Sequence, residues 1–143
     1  MSLDFEGKVA IVTGSGGGIG KGYALELAKR GAKVVVNDLG GAVDGSGGSL
    51  SAAETVVNEI EAAGGEAIAN GANVCSEDDV KNMVKETMEK WGRVDILINN
   101  AGILRDKSFA KMEWSDFVTV VNVHLLGSCL LYTSDAADEA IGV

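Results

Sequence analysis

Between Thr13 and Gly20 the chain reads Thr-Gly-Ser-Gly-Gly-Gly-Ile-Gly, five glycines in eight residues. Glycine lets a backbone approach a ligand closely, and a helix that starts there offers unpaired N–H groups and the positive end of its dipole. The chemistry of such a turn is phosphate binding. Spacing separates the known phosphate loops. A Walker A loop needs glycine five positions before the Gly20-Lys21 pair and Ser or Thr after it, where this chain has Ser15 and Gly22. The dinucleotide fingerprint G-x-G-x-x-G also fails in every register, because Gly14 and Gly16 are followed by Ile19, and Gly16 and Gly18 by Lys21. The spacing that is present is Gly14-x-x-x-Gly18-x-Gly20.

A turn of this kind needs a strand to deliver it and a helix to leave it. Lys8 to Thr13 is short, β-branched and glycine-bounded, the pattern of a strand buried on both faces. From Ile19 the period becomes helical, with Ile19, Tyr23 and Leu27 on one stripe, Ala24 and Ala28 beside it, and Gly31 ending the helix. Lys33 to Asp38 is a second strand, and Gly40 to Ser49, with five glycines in ten residues, reads as a mobile loop or hinge. Leu50, Ala53, Val57 and Ile60 predict a second helix up to Gly64-Gly65, and Glu66 to Asn70 a third strand. Ser76 followed by Glu77, Asp78 and Asp79 marks a helix start, whose buried stripe is Val80, Val84, Met88 and Trp91, and Gly92 closes it. Val94 to Asn99 is a fourth strand, and Trp114, Phe117, Val121 and Leu125 share one face of a last helix. Strands alternating with helices give an α/β fold with right-handed crossovers and a parallel sheet covered on both faces.

Composition narrows the function. The 143 residues suit one domain, and 12 Lys+Arg against 21 Asp+Glu leave a net charge of −9, which argues against nucleic acid and acidic membrane surfaces as partners. Two cysteines, Cys75 and Cys129, make no disulfide framework, and with His124 the only histidine no zinc-type cluster is expected. The N-terminus has no signal-peptide pattern, and no apolar run approaches the roughly 18 residues of a spanning helix. These absences predict a soluble, cytoplasmic protein with no metal.

The Gly14-x-x-x-Gly18-x-Gly20 turn after Thr13, with Asn99-Asn100-Ala101-Gly102 after the fourth strand, resembles the short-chain dehydrogenase/reductase family over Leu3 to about Ser128. Within the family, Val35-Val-Asn-Asp38-Leu-Gly-Gly and Asn99-Asn-Ala-Gly-Ile-Leu-Arg-Asp106 resemble the (3R)-hydroxyacyl-CoA dehydrogenase domains of multifunctional β-oxidation enzymes and their bacterial relatives. The resemblance implies a Rossmann-type doubly wound sheet of about four strands in the order 3-2-1-4, incomplete, with four helices. It implies a dinucleotide held by Gly14, Ser15, Gly18, Ile19 and Gly20, by Asp38 at the adenosine ribose, by Asn73 and Val74 at the adenine, and by Asn100, Ala101 and Gly102. Asn99 would tie neighbouring strands together, and Lys21 would be a solvated first-turn residue. Asp38 can accept both ribose hydroxyls and would repel a 2′-phosphate, and position 17 is glycine where NADP-dependent members often carry a base; both point to NAD over NADP. Family members act on small molecules and commonly pair through their fourth and fifth helices, so the whole protein is expected to be a homo-oligomer.

The same resemblance shows where the chain departs. The family's helix asparagine stands three residues before a glycine; counting back from Gly127 gives His124 rather than Asn122. His124 then either positions a water or the catalytic lysine, or packs. The family's reaction uses a tyrosine as general acid/base with a lysine four residues on, and a serine at the substrate oxygen. The tyrosines here are Tyr23 and Tyr132, followed four residues later by Leu27 and Ala136, and no lysine follows Lys111. The segment Cys129 to Glu139 resembles one reading frame of a transposon-end sequencing adapter. The expectation is therefore a partial dinucleotide-binding domain over 1–128 and a non-native tail over 129–143, inactive as given, from an enzyme acting on a secondary alcohol such as a 3-hydroxyacyl thioester. The alternative is a non-catalytic NAD-binding module.

Overall fold

A computed structural model describes residues 3–41 and 50–133. Four strands, β1 (Val9–Thr13), β2 (Lys33–Asn37), β3 (Glu66–Asn70) and β4 (Ile96–Ile98), form one parallel sheet in the order β3-β2-β1-β4. Helices α1 (Gly18–Lys29), α2 (Ser51–Ala62) and α3 (Glu77–Trp91) alternate with them. A last helix runs Trp114–Thr133, as α4 (Trp114–Val121), a π turn (Asn122–Leu126) and α5 (Gly127–Thr133). The expected strand order and alternation are both present. Residues 42–49, where the glycine loop was expected, and residues 134–143 of the expected tail lie outside the described residues.

The core has two layers, one on each side of the sheet, because β1 and β2 send every second side chain to each face. Ala10, Val12, Val34 and Val36 pack against Ala24, Leu27 and Ala28 of α1 and Ala53, Val56 and Ile60 of α2. Ile11 and Val35 face the other way, toward Val74, Val80, Met83, Val84 and Leu131. Leu131 lies inside the expected tail yet is buried in this core.

Three buried stripes are rotated from the expected ones. On α1 the buried residues are Gly20, Ala24, Leu27 and Ala28, while Ile19 is 71% exposed and Tyr23 is also exposed. Small residues let α1 lie close to the sheet, and the large ones one step around the helix point outward. On α2 Val56 is buried and Val57 only partly; on α3 Met83 and Thr87 join Val80 and Val84, with Met88 and Trp91 at the rim. On the last helix the expected apolar face is solvent-facing, with Trp114 at 75% exposure, Phe117 and Leu125 exposed, and Trp114 stacked on Phe117 at 5.4 Å.

The helix ends follow local chemistry. Gly31 (φ 93°) donates to Ala28 O and Ala32 to Leu27 O; Gly64 (φ 87°) and Gly65 repeat the pattern on Glu61 and Ile60, so both helices end in the same left-handed glycine motif. Ser76 accepts the Asp79 N–H at 3.3 Å, the expected N-cap. Strand β4 is shorter than the expected Val94 to Asn99 because side chains take over its ends. The Asp95 carboxylate accepts the Val9 N–H at 2.9 Å, and the Asn100 N–H turns to Thr13 Oγ1 at 3.1 Å.

By length and a mean hydropathy of 1.3, Trp114–Thr133 is long and apolar enough to cross a bilayer, contrary to the expectation that no segment reaches that size. The expectation counted unbroken apolar runs. Ser115, Thr119 and Asn122 interrupt the run without adding charge, and the buried Asp116, Gly127 and Leu131 tie the helix to the fold.

Candidate cofactor-binding site

At the C-terminal edge of the sheet the β1–α1 turn is shaped by residues that lack side chains. Gly14 (φ 63°) passes so near the exit of β4 that a Cβ there would lie 2.8 Å from Ala101 Cα, and a Cβ on Gly20 would run into Gly14 O and Asn100 Nδ2. In front of the helix the space is open, for a Cβ on Gly17 or Gly18 would meet nothing within 4 Å. Gly17 begins α1 without a side-chain cap, and the first turn carries no acid. The turn therefore presents backbone N–H groups and the positive helix end to open space, a cradle for a phosphate group.

Asp38 stands beside this cradle. Its Oδ2 accepts the Gly16 N–H at 2.8 Å and its Oδ1 the Gly40 N–H at 2.7 Å, so the acid at the end of β2 is locked to the glycine turn. Each oxygen keeps further acceptor capacity. Beneath it, Asn37 is buried and donates to Ala72 O at 3.0 Å and Asn70 Oδ1 at 3.2 Å, holding the β3 exit in place.

The opposite wall is organised by Thr13. Its hydroxyl donates to Ile98 O at 3.3 Å and accepts the N–H groups of Asn100 (3.1 Å) and Ala101 (3.0 Å). Asn100 Nδ2 donates to Thr13 O at 2.9 Å and Gly14 O at 3.0 Å. The tie between strand ends, expected of Asn99, is thus made by Asn100, whose amide nitrogen faces protein rather than the cleft.

Other expected site residues are used differently. Ser15 is fully buried and donates to Val12 O at 2.7 Å, so its side chain braces the turn from below. Ile19 is exposed at the cradle. Asn73 Oδ1 accepts the Cys75 N–H at 2.9 Å while its own N–H donates to Asp79 Oδ2 at 3.0 Å, and Val74 is buried against Gly127. Lys21, expected to be solvated, pairs with Glu59 of α2 at 2.6 Å. The open side of Gly102 is filled by the His124 ring, since a Cβ there would lie 2.6 Å from its Cε1. His124 Nε2 lies 3.2 Å from Ile103 N and 3.1 Å from Ile103 O. The π turn carries His124: the Gly127 N–H donates to Asn122 O, five residues back, and Ser128 Oγ donates to His124 O at 2.8 Å. π turns are rare and concentrate at functional sites. Among the described residues, no three His, Cys, Asp or Glu side chains gather as metal ligands.

The sequence pattern of the family described as short chain dehydrogenase matches residues 8–139. The chain belongs to the short-chain dehydrogenase family. Members of this family are oxidoreductases that bind NAD(H) or NADP(H), and the cradle fits the phosphates of such a cofactor. Short-chain dehydrogenase relatives include the peroxisomal multifunctional enzyme A of Dictyostelium discoideum, 59% identical over 128 residues, 90% of this chain and 28% of that protein. The peroxisomal hydratase-dehydrogenase-epimerase of Saccharomyces cerevisiae is 54% identical over 88% of this chain and 14% of its own length. A short-chain dehydrogenase from Mycobacterium avium superposes with a TM-score of 0.84 at 47% identity, covering 94% of this chain and 47% of that one. A 7α-hydroxysteroid dehydrogenase solved with NADH and a 7-oxo bile acid has a TM-score of 0.82 at 36% identity, covering 93% and 48%. The chain thus spans less than half the length of each.

The expectation of a cytoplasmic protein is overturned by the peroxisomal names of these curated relatives. Its basis was the lack of a signal peptide and a long apolar run. Peroxisomal addresses are short tags read by a receptor, and neither feature bears on them.

Proposed function

We propose that the chain is the cofactor-binding part of an NAD-dependent short-chain dehydrogenase that moves hydride between nicotinamide and a secondary alcohol or ketone, a 3-hydroxyacyl thioester foremost. The observation that carries the choice of NAD is the Asp38 carboxylate, fixed over the glycine turn by the N–H groups of Gly16 and Gly40. A carboxylate held there favours the two hydroxyls of an adenosine ribose and opposes a 2′-phosphate. The start of α1 from Gly18 would hold the pyrophosphate, Ile19 would cover it, and Ala101 and Gly102 would offer backbone to the nicotinamide half. Asn73 and Val74 would bound the adenine. When bound, the cofactor supplies the hydride, and the protein's part is to orient it and exclude water.

The relatives' names support the oxidoreductase class, the small-molecule substrate and a peroxisomal location. The exposed face of α4 supports pairing of the whole protein with its own copies. A second reading has a specific observation behind it: neither Tyr23 nor Tyr132 has a lysine four residues on, so the 143-residue chain binds NAD without turning over substrate. In the first reading, the proton-transfer residues belong to the part of the whole protein beyond Ser128, the following residues being the adapter-like tail.

Calorimetric titration of the chain with NAD+ and NADP+ tests the cofactor. NAD+ is expected to bind more tightly, and Asp38→Ala to weaken it by about 1.5–3 kcal/mol, the worth of hydrogen bonds to a charged group, while narrowing the gap to NADP+. An unchanged ratio of the two affinities would overturn the assignment.

A further inference from the structure

The imidazole of His124 lies flat against Gly102, with Nε2 within hydrogen-bond distance of both the N–H and the C=O of Ile103. A ring nitrogen cannot serve both at once. Bare, it accepts the N–H; protonated, it donates to the C=O. The helix is committed to this contact, because the π turn sets the height of residue 124 and Ser128 Oγ takes up the His124 carbonyl. Resting on the reading of Asn100 to Gly102 as a wall of the cofactor site, we infer that His124 is a positioning residue whose protonation exchanges its partner on Ile103 and so resets that wall.

Proton exchange is open, since His124 is exposed. The charged groups sharing its cavity are Arg105 and Asp106 on the β4–α4 connection and Asp116 on α4, with Lys107 bonded to Asp116 at 2.7 Å. On the other side of the π turn a groove is lined by the thiols of Cys75 and Cys129. Arg105 and Lys107 both lie within 3.4 Å of Asp116, so the positive charges nearest the ring are already neutralised locally. When the ring takes a proton from water, the Ile103 N–H loses its acceptor and the Ile103 carbonyl gains a donor. Ile103 is one residue from Gly102, so the exchange is felt directly in the wall.

The test is nuclear magnetic resonance on the 15N-labelled chain across about pH 5 to 8, the interval natural to histidine. The Ile103 amide is expected to shift with the same midpoint as the His124 ring nitrogens, and His124→Asn to abolish that inflection while the β1 amides stay in place. A flat Ile103 amide while the ring titrates overturns the inference, as does an inflection that survives in His124→Asn. As a second readout, NAD+ affinity of the unaltered chain should change by about 3- to 10-fold between the ends of this range, the worth of one hydrogen bond, and in His124→Asn should not. Failure to bind NAD+ at any pH would defeat the cofactor reading instead, and the Ile103 amide would still decide the latch.

Discussion

Asn100 Nδ2 occupies the space that a side chain on Gly20 would need, and it is held there by the carbonyl oxygens of Thr13 and Gly14. The first turn of α1 and the exit of β4 therefore interlock through an absent Cβ. Gly20→Ala should destabilise the chain by about 1–3 kcal/mol, the usual cost of overpacking, read as a lower urea midpoint. Gly22, two residues along the same helix, is the control. A Cβ there meets nothing within 4 Å, so Gly22→Ala should be stabilising by about 0.5–1 kcal/mol through lower unfolded-state entropy and better helix propensity.

Thr13 is the hub of the wall, and its hydroxyl is the only change in Thr13→Val. The substitution keeps the volume of a buried β-branched residue but leaves the N–H groups of Asn100 and Ala101 without their acceptor. The expected loss is about 1–3 kcal/mol in chemical denaturation, the penalty for buried unsatisfied donors. A neutral result would show that water reaches these amides.

Asp95 links acid stability to the sheet. Hydrogen bonding from Arg93, with help from the Val9 N–H and Lys8, lowers its pKa from 3.8 to about 2. A carboxyl with a depressed folded pKa contributes stability that is complete above its unfolded value and lost as pH falls through the folded one. Unfolding free energy should therefore drop between about pH 4 and 2, and the drop should be smaller in Asp95→Asn by up to about 1 kcal/mol, because Arg93 is half-exposed and screened. Parallel slopes for the two proteins would remove Asp95 from the account.

The last helix turns Trp114, Phe117, Leu125, Leu126 and Tyr132 to solvent, and β4 is the open edge of the sheet. Contiguous apolar surface and an unpaired edge both promote association. The isolated chain should self-associate in light scattering at micromolar concentration. Replacing Trp114 and Leu125 by lysine should reduce it, and a sharp monomer peak from the unaltered chain would contradict the expectation.

Much of this was written locally. The strand order rests on β-branched runs and glycine stops, and the cradle on five glycines whose spacing excludes other phosphate loops. The N-cap at Ser76 and the left-handed glycines were legible for the same reason: each is decided within a few residues. What was not legible is tertiary. Nothing near Ile19 in sequence says that Gly20 rather than Ile19 faces the sheet, because that depends on how closely α1 approaches it. Asn99 and Asn100 are the same residue type side by side, and only the position of Thr13 across the sheet decides which one makes the tie. Asp95 reads as a strand residue until its carboxylate is found doing the work of a ladder carbonyl. The π turn at His124 has no signature in composition at all.

That turn also governs the register of everything after it. An α-helix advances about 100° per residue, so the extra residue accommodated between Asn122 and Leu126 sets the direction in which Gly127 and Leu131 point. As found, Gly127 lies where a Cβ would be 3.0 Å from Val74 and Leu131 is buried beside it. Deleting one residue of the turn would restore regular hydrogen bonding, yet swing Leu131 out of the core and bring a bulkier neighbour against Val74. The irregular turn is thus a phase adjuster: a single-residue deletion there should be far worse tolerated than any substitution that keeps the count.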